Sequence, residues 1–118
     1  MTAGLLRRGD VVLTRFPFTD LAGSEVRPAV VISQGQIADD VVLIAISSVL
    51  RRPLSATDVC DAQHVEFSAT GLRVTSVIRV HKLVAVEARI VVRRLGHIGP
   101  SLQDGVDQKL RAVLGLLP

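Results

Sequence analysis

Short apolar runs rich in valine and isoleucine, each closed by Gly, Pro, Asp or Ser, fill most of this chain. β-branched side chains stiffen the backbone in extended form, and the turn formers between the runs reverse it. The run Val26-Arg27-Pro28-Ala29-Val30-Val31-Ile32-Ser33 is the most constrained. Val30 to Ile32 have the composition of a buried strand. Pro28 fixes its own φ and pushes Arg27 toward extended geometry. Arg27 therefore stands where a loop becomes a rigid strand, held firmly yet within reach of solvent.

The other runs are placed around it. Gly9-Asp10 opens a strand, Val11 to Phe16, that Pro17 ends. Phe18 to Glu25 contains the loop formers Thr19, Asp20, Gly23 and Ser24. Val41 to Ser47 is a third strand, closed by Ser47-Ser48. Arg51-Arg52-Pro53 begins a polar stretch lasting to Gln63. His64-Val65-Glu66-Phe67 alternates polar and apolar, the pattern of a half-exposed strand. Ala69-Thr70-Gly71 is a turn, and Leu72 to Val80 and Ala88 to Leu95 are further strands. The period then changes: Leu102, Val106, Leu110, Val113 and Leu117 follow helical spacing. The expectation is one amphipathic helix over 101–115, with Ser101 as its N-cap and Gly115 weakening its last turn. Several short strands followed by one helix make the chain mainly β, a small barrel with a C-terminal α-helix and not a βαβ fold. All 118 residues are expected to form one domain.

Composition narrows the function. Hydrophobic residues are 48% and charged residues 21%, which excludes a disordered chain. There is no Trp or Tyr, so the core is aliphatic and a base-stacking aromatic platform is not expected. The net charge of +3 suits a phosphate-bearing partner. The one cysteine, Cys60, excludes an intrachain disulfide and a Cys-based zinc site, and fits a reducing cytoplasm. No stretch reads as a signal peptide or a transmembrane span. His64, His81 and His97 are too scattered for a metal site, so no metal or other cofactor is expected.

Gly9-Asp10-Val11-Val12 with Phe16-Pro17-Phe18-Thr19, then Arg27-Pro28-Ala29-Val30-Val31-Ile32-Ser33, form a distinctive pair of motifs. Ile46-Ser47-Ser48, Ser76-Val77-Ile78-Arg79-Val80 before Lys82-Leu83, and Gly96 after Arg93-Arg94-Leu95 extend the set. In these pieces, from about residue 7 to 115, the sequence resembles the MazF/PemK-type toxins of type II toxin–antitoxin pairs. The resemblance implies an SH3-like barrel with a C-terminal helix, usually a homodimer. It implies a metal-independent endoribonuclease, an mRNA interferase, that cuts single-stranded RNA at short sequences. It also implies a cognate antitoxin whose partly disordered segment covers the RNA groove.

RNA carries its own nucleophile, the 2′-hydroxyl beside the scissile phosphate. The protein's task is to move protons and to stabilise the charge that gathers on the phosphate. An arginine fork grips two phosphate oxygens and stays charged, which makes Arg27 the first catalytic candidate. It also matches the family's catalytic arginine. Ser47 matches the family's catalytic Thr or Ser, where a hydroxyl donates to a phosphate oxygen. Ser48 is its reserve, and in a strand would face the other way. Which group acts as base and which as acid is left open. Arg51 and Arg52 are expected to track the RNA backbone, and Thr19 and Asp20 to touch bases from the loop. Arg93-Arg94 reads as a solvated strand edge and Cys60 as an incidental small residue. Val49 and Thr75 depart from the family, which often has glutamine after the hydroxyl pair and an acidic or amide side chain at the second place. The alternative function is accordingly a weak or inactive barrel that binds antitoxin and nucleic acid without cutting. Carboxylates at metal-ligand spacing are lacking, which argues against a metal-dependent nuclease.

Overall fold

The computed structural model describes residues 6–15, 26–50 and 56–116. Six strands form one sheet: β1 (Asp10–Arg15), β2 (Val26–Val31), β3 (Asp40–Ser47), β4 (Thr57–Cys60), β5 (Ser76–Glu87) and β6 (Val91–His97). Their order is β4-β5-β3-β2-β1-β6, with every neighbouring pair antiparallel. One helix follows, α1 (Pro100–Leu114). The chain is thus mainly β with a C-terminal helix, as its pattern implies. Among the described residues the edge strands β4 and β6 are not paired with each other, so the sheet is open and not a closed barrel.

Both faces of the sheet are apolar in the middle, which is why β2 and β3 read as nearly continuous hydrophobic runs. On one face Val11, Val30, Ile44, Ile46, Ile78 and Val80 pack under α1, which contributes Leu102, Val106 and Leu110. On the other, Leu6, Val12, Ala29, Val31, Leu43 and Val86 form a second cluster with Ala88 and Val91. Burying a Leu or Val side chain is worth roughly 1.5–3 kcal/mol, so the two aliphatic clusters hold the sheet without aromatic bulk. Gly105 would interrupt α1 on propensity alone. A Cβ there would meet Asp58 Oδ2 of β4 at 2.8 Å, so the glycine lets β4 approach the helix. Lys109 Nζ then donates to Asp58 Oδ1 at 3.2 Å.

The motif glycines and the first aspartate have structural work. Gly9 has φ +93°, its N–H donates to Val31 O at 2.8 Å, and its carbonyl accepts from Ile98 N–H at 2.9 Å. Asp10 is buried and accepts from Arg7 N–H at 2.8 Å and from Arg94 Nε at 3.0 Å. A Cβ at Gly96 would run into the backbone of Ala69 and Thr70, so only glycine lets β6 pass this turn. Arg94 is therefore tied to Asp10, not simply solvated.

Several boundaries differ from the sequence reading. His64 to Phe67 forms turns ahead of a 3₁₀ segment, Ser68–Thr70, and not a strand. The polar stretch after Pro53 contains β4. The strand expected at Leu72 begins at Ser76 and runs on to Glu87, and the one expected at Ala88 begins at Val91, after a 3₁₀ turn. Ser101 lies inside α1, whose N-cap is Gly99 with Pro100 at the first turn. The cap is supplied from afar: Glu66 accepts from Ser101 N–H and Leu102 N–H, both at 2.9 Å. Gly115, with φ +70°, terminates the helix in a left-handed cap.

Candidate active site on the β2–β3 face

β2 and β3 pair at Ala29–Ala45, Val30–Ile44 and Val31–Leu43. The pairing ends at Ala29–Ala45, and Arg27 and Ser47 lie two residues beyond it, each on its own strand. Alternation puts both on the side of Ala29 and Ala45, away from α1. Where the rest of this face is filled by Val and Leu, the two positions flanking Arg27 and Ser47 are alanines. Arg27 is exposed and Ser47 half-buried. On the far side of β2, Thr14 of β1 pairs with Arg27 and is fully buried, its hydroxyl donating to Ile90 O at 3.3 Å. Pro28 prevents the neighbouring peptide from donating and helps fix the arginine's backbone.

The Ser47 hydroxyl oxygen accepts from Val49 N–H at 3.1 Å. That bond orients the oxygen and leaves the hydroxyl proton to donate elsewhere. Ser48 lies past the end of β3, in an exposed bend. Thr19, Asp20, Arg51 and Arg52 fall outside the described residues.

A third group on this face was not singled out from sequence. Val77 of β5 pairs with Ser47, and Ile78 with Ile46, but Ile44 pairs with Leu83. Residues 79–82 thus bulge beside Ala45. Ile78 and Val80 point into the core under α1, so Arg79 between them faces the Ser47 side. Its Nε is buried and has no hydrogen-bond partner among the described residues. A buried guanidinium nitrogen without an acceptor is costly. The available signal was a charge interrupting the aliphatic run Val77-Ile78-Arg79-Val80.

The remaining candidates do other things. His64 Nδ1 accepts from Glu66 N–H at 3.0 Å within the turns. His81 is exposed in the β5 bulge, and His97 ends β6 opposite Asp10. Thr75 Oγ1 accepts from Ala62 N–H at 2.7 Å, anchoring the loop after β4. Burial, reinforced by Asp58, Asp61 and Glu66, pushes the Cys60 thiol up to about 11, so it is an inert core residue. Among the described residues no cluster of three or more His, Cys, Asp or Glu could hold a metal, and no helix is long and apolar enough to cross a membrane.

The fold is shared with solved toxins. An endoribonuclease from a mycobacterial species superposes with a TM-score of 0.73 at 20% identity, over 100% of this chain and 98% of the other. A mycobacterial endoribonuclease in complex with its cognate antitoxin gives 0.73 at 19% identity, over 96% and 98%. MazE–MazF from Deinococcus radiodurans gives 0.72 at 18% identity, over 95% and 97%. At these identities the likeness defines the fold class. Membership comes from the sequence: residues 7–114 match the model of the PemK-like, MazF-like toxins of type II toxin–antitoxin systems, and the chain belongs to that family. No curated protein matches it.

Proposed function

We propose that this chain is the toxin of a type II toxin–antitoxin pair and a metal-independent, sequence-specific endoribonuclease acting on single-stranded mRNA. The observation that supports the reading is that Arg27 and Ser47 lie two residues beyond the Ala29–Ala45 pair on the neighbouring strands β2 and β3, with Arg79 on the next strand, β5. The substrate's 2′-oxygen attacks phosphorus as the bond to the 5′-oxygen breaks, giving a 2′,3′-cyclic phosphate and a 5′-hydroxyl. The Arg27 fork binds two non-bridging oxygens, and the Ser47 hydroxyl donates to one of them. Charge placed in advance where it develops is worth about 3–4 kcal/mol per donor in comparable sites. Arg79 anchors the phosphate from the β5 side. Thr19, Asp20, Ser48, Arg51 and Arg52 make the RNA contacts around this centre, Arg51 and Arg52 along the backbone.

The active form is a cytoplasmic homodimer, held in check by a cognate antitoxin. Solved relatives of the same fold include toxins bound to their antitoxins, which supports that partner. A second reading, binding of antitoxin and nucleic acid without cleavage, is favoured by Val49 and Thr75, where the family often carries polar or acidic side chains. Incubation of a long single-stranded RNA with the protein in EDTA distinguishes the two. Discrete fragments with 5′-hydroxyl ends, lost in Arg27→Ala, are expected. A folded wild type that cuts none of several RNAs would leave the binding reading.

A further inference from the structure

The face of β1 and β2 opposite Arg27 carries a groove that the reaction above does not use. Leu13 and Pro28 pair across the two strands, and Arg93 of β6 pairs with Leu13 from the other side. With Leu72, Leu95 and Arg73 they line an open groove of about 380 Å³, within the range of roughly 300–1,000 Å³ usual for small-molecule sites. The backbone sets one wall. Gly71 has φ +76°, and a Cβ there would run into the Leu95 backbone, so only glycine lets the turn after Ser68–Thr70 close against β6. Leu72 and Leu95 also pack on the core beneath α1, so the groove is preformed. Its apolar members are half-buried, while Arg73 and Arg93 are exposed at its rim. Neither arginine has a hydrogen bond or ion pair among the described residues, in contrast to Arg8, Arg89 and Arg94.

We propose that this groove binds a small amphiphilic anion, an alkyl carboxylate whose chain lies on Leu13, Pro28, Leu72 and Leu95 and whose head is held by Arg73 and Arg93. Charge complementarity gives the head, because a planar guanidinium fork matches a planar carboxylate. A phosphate suits the groove less well. The lining has no hydroxyl side chain, and the Gly71 and Leu72 N–H groups already donate to Ser68 O and Thr70 Oγ1. The larger partners are disfavoured by the same walls. An extended peptide adds to a sheet edge through its main chain, whereas β1 is paired on both sides here and Pro28 has no N–H to give. Unpaired bases are held by stacking on aromatic rings, and these walls are aliphatic. An alkyl chain with one anionic end needs only what the groove offers. Binding requires neither RNA nor a partner protein, since every contact comes from one chain on the face away from Arg27.

The test is a methyl-detected NMR titration of the full-length protein, labelled at Leu and Val, with sodium octanoate. Saturable shifts are expected at Leu13, Leu72 and Leu95 and not at the core residues Leu43 and Leu110. Acetate, which has the head alone, and octanol, which has the tail alone, are each expected to bind about tenfold more weakly or worse. The double variant R73Q/R93Q is expected to weaken octanoate by roughly tenfold, to leave octanol unchanged, and to melt like wild type because both positions are exposed. Arg27→Ala should bind octanoate as wild type does. Octanoate that leaves the groove methyls unmoved at millimolar concentration, or binds R73Q/R93Q as before, overturns the proposal. Acetate that binds as well as octanoate would show an anion site with no use for the apolar lining, and octanol that binds as well would show a greasy surface with no use for the arginines. Either result overturns it. Octyl phosphate that binds more tightly than octanoate overturns the choice of carboxylate. Displacement of octanoate by an uncleavable 2′-deoxy oligonucleotide also overturns the proposal and assigns the groove to nucleic acid.

Discussion

Arg27 is useful because its charge is permanent and its donors lie in a plane, and those two properties separate under mutation. Arg27→Ala is expected to lower the rate of RNA cleavage by about a hundredfold or more, with the fold intact because the side chain is exposed. Arg27→Lys keeps the charge and loses the fork, so single-turnover kinetics should place it between the two. Ser47→Ala removes one donor to a charged phosphate and is expected to cost roughly ten- to a hundredfold. Ser48→Ala, in the bend beyond β3, should cost much less. Equal losses at Ser47 and Ser48 would misplace the hydroxyl. The strand positions of Arg27 and Ser47 were legible because a strand's alternation and a proline's restriction are local properties, whereas their proposed roles came from the family resemblance. Arg79 was not, because its buried Nε depends on the β5 bulge against β3. Nothing within a few residues of Arg79 reveals that register shift.

At the scale of the element, α1 shows how a local signature loses to a distant group. The spacing of Leu102, Val106 and Leu110 gave the helix and its buried face correctly, since that period is intrinsic to the sequence. Its cap was misread. Ser101 resembles an N-cap, yet Gly99 occupies that place, and Glu66 crosses from the 61–67 turns to take the free amides. The same bonds explain why the alternating His64-to-Phe67 segment is not a strand. The Glu66 backbone is committed to a turn by His64, and its carboxylate to the helix end. The Leu102 amide, opposed by burial and aided by Ser101 and His64, holds the Glu66 carboxyl below its usual range. Asp107 is also lowered: burial works against it, but hydrogen bonds from Arg8 and Gln103 prevail. Groups depressed on folding add stability above their unfolded pKa, near 4 for carboxyls, and lose it as pH falls through the folded value. Stability should therefore hold from neutral pH down to about 5 and decline below. Glu66→Gln should lower the melting temperature at pH 7 and flatten that decline. A variant as acid-sensitive as wild type would show that the cap does not couple protonation to folding. Packing beneath the helix has a larger effect, and Leu102→Ala should cost roughly 2–5 kcal/mol in denaturant unfolding.

Over the whole molecule, the sheet divides the chemistry. One face packs under α1, and the other carries Arg27 and Ser47 at the end of its aliphatic cluster. A net charge of +3 is too small for non-specific electrostatics to dominate, so affinity for RNA should depend on a few placed cations. Salt dependence measures how many. On single strands each phosphate neutralised contributes about 0.7 to the slope of log Kd against log salt. If Arg27 and Arg79 each hold a phosphate, removing either should reduce the slope by about 0.7 and weaken binding of an uncleavable oligonucleotide. Since both are proposed to grip the one scissile phosphate, the second removal should change the slope little while still weakening binding. A double variant that loses about 1.4 would place them on separate phosphates. Arg8→Gln is the control: its guanidinium is committed to Asp107 at 2.6 Å and to the Ile32 carbonyl at 3.0 Å. It should leave the slope unchanged and lower the melting temperature instead. A slope reduced as much by Arg8→Gln as by Arg27→Ala would mean that RNA responds to total charge and not to this face, and the assignment of the site would fall with it.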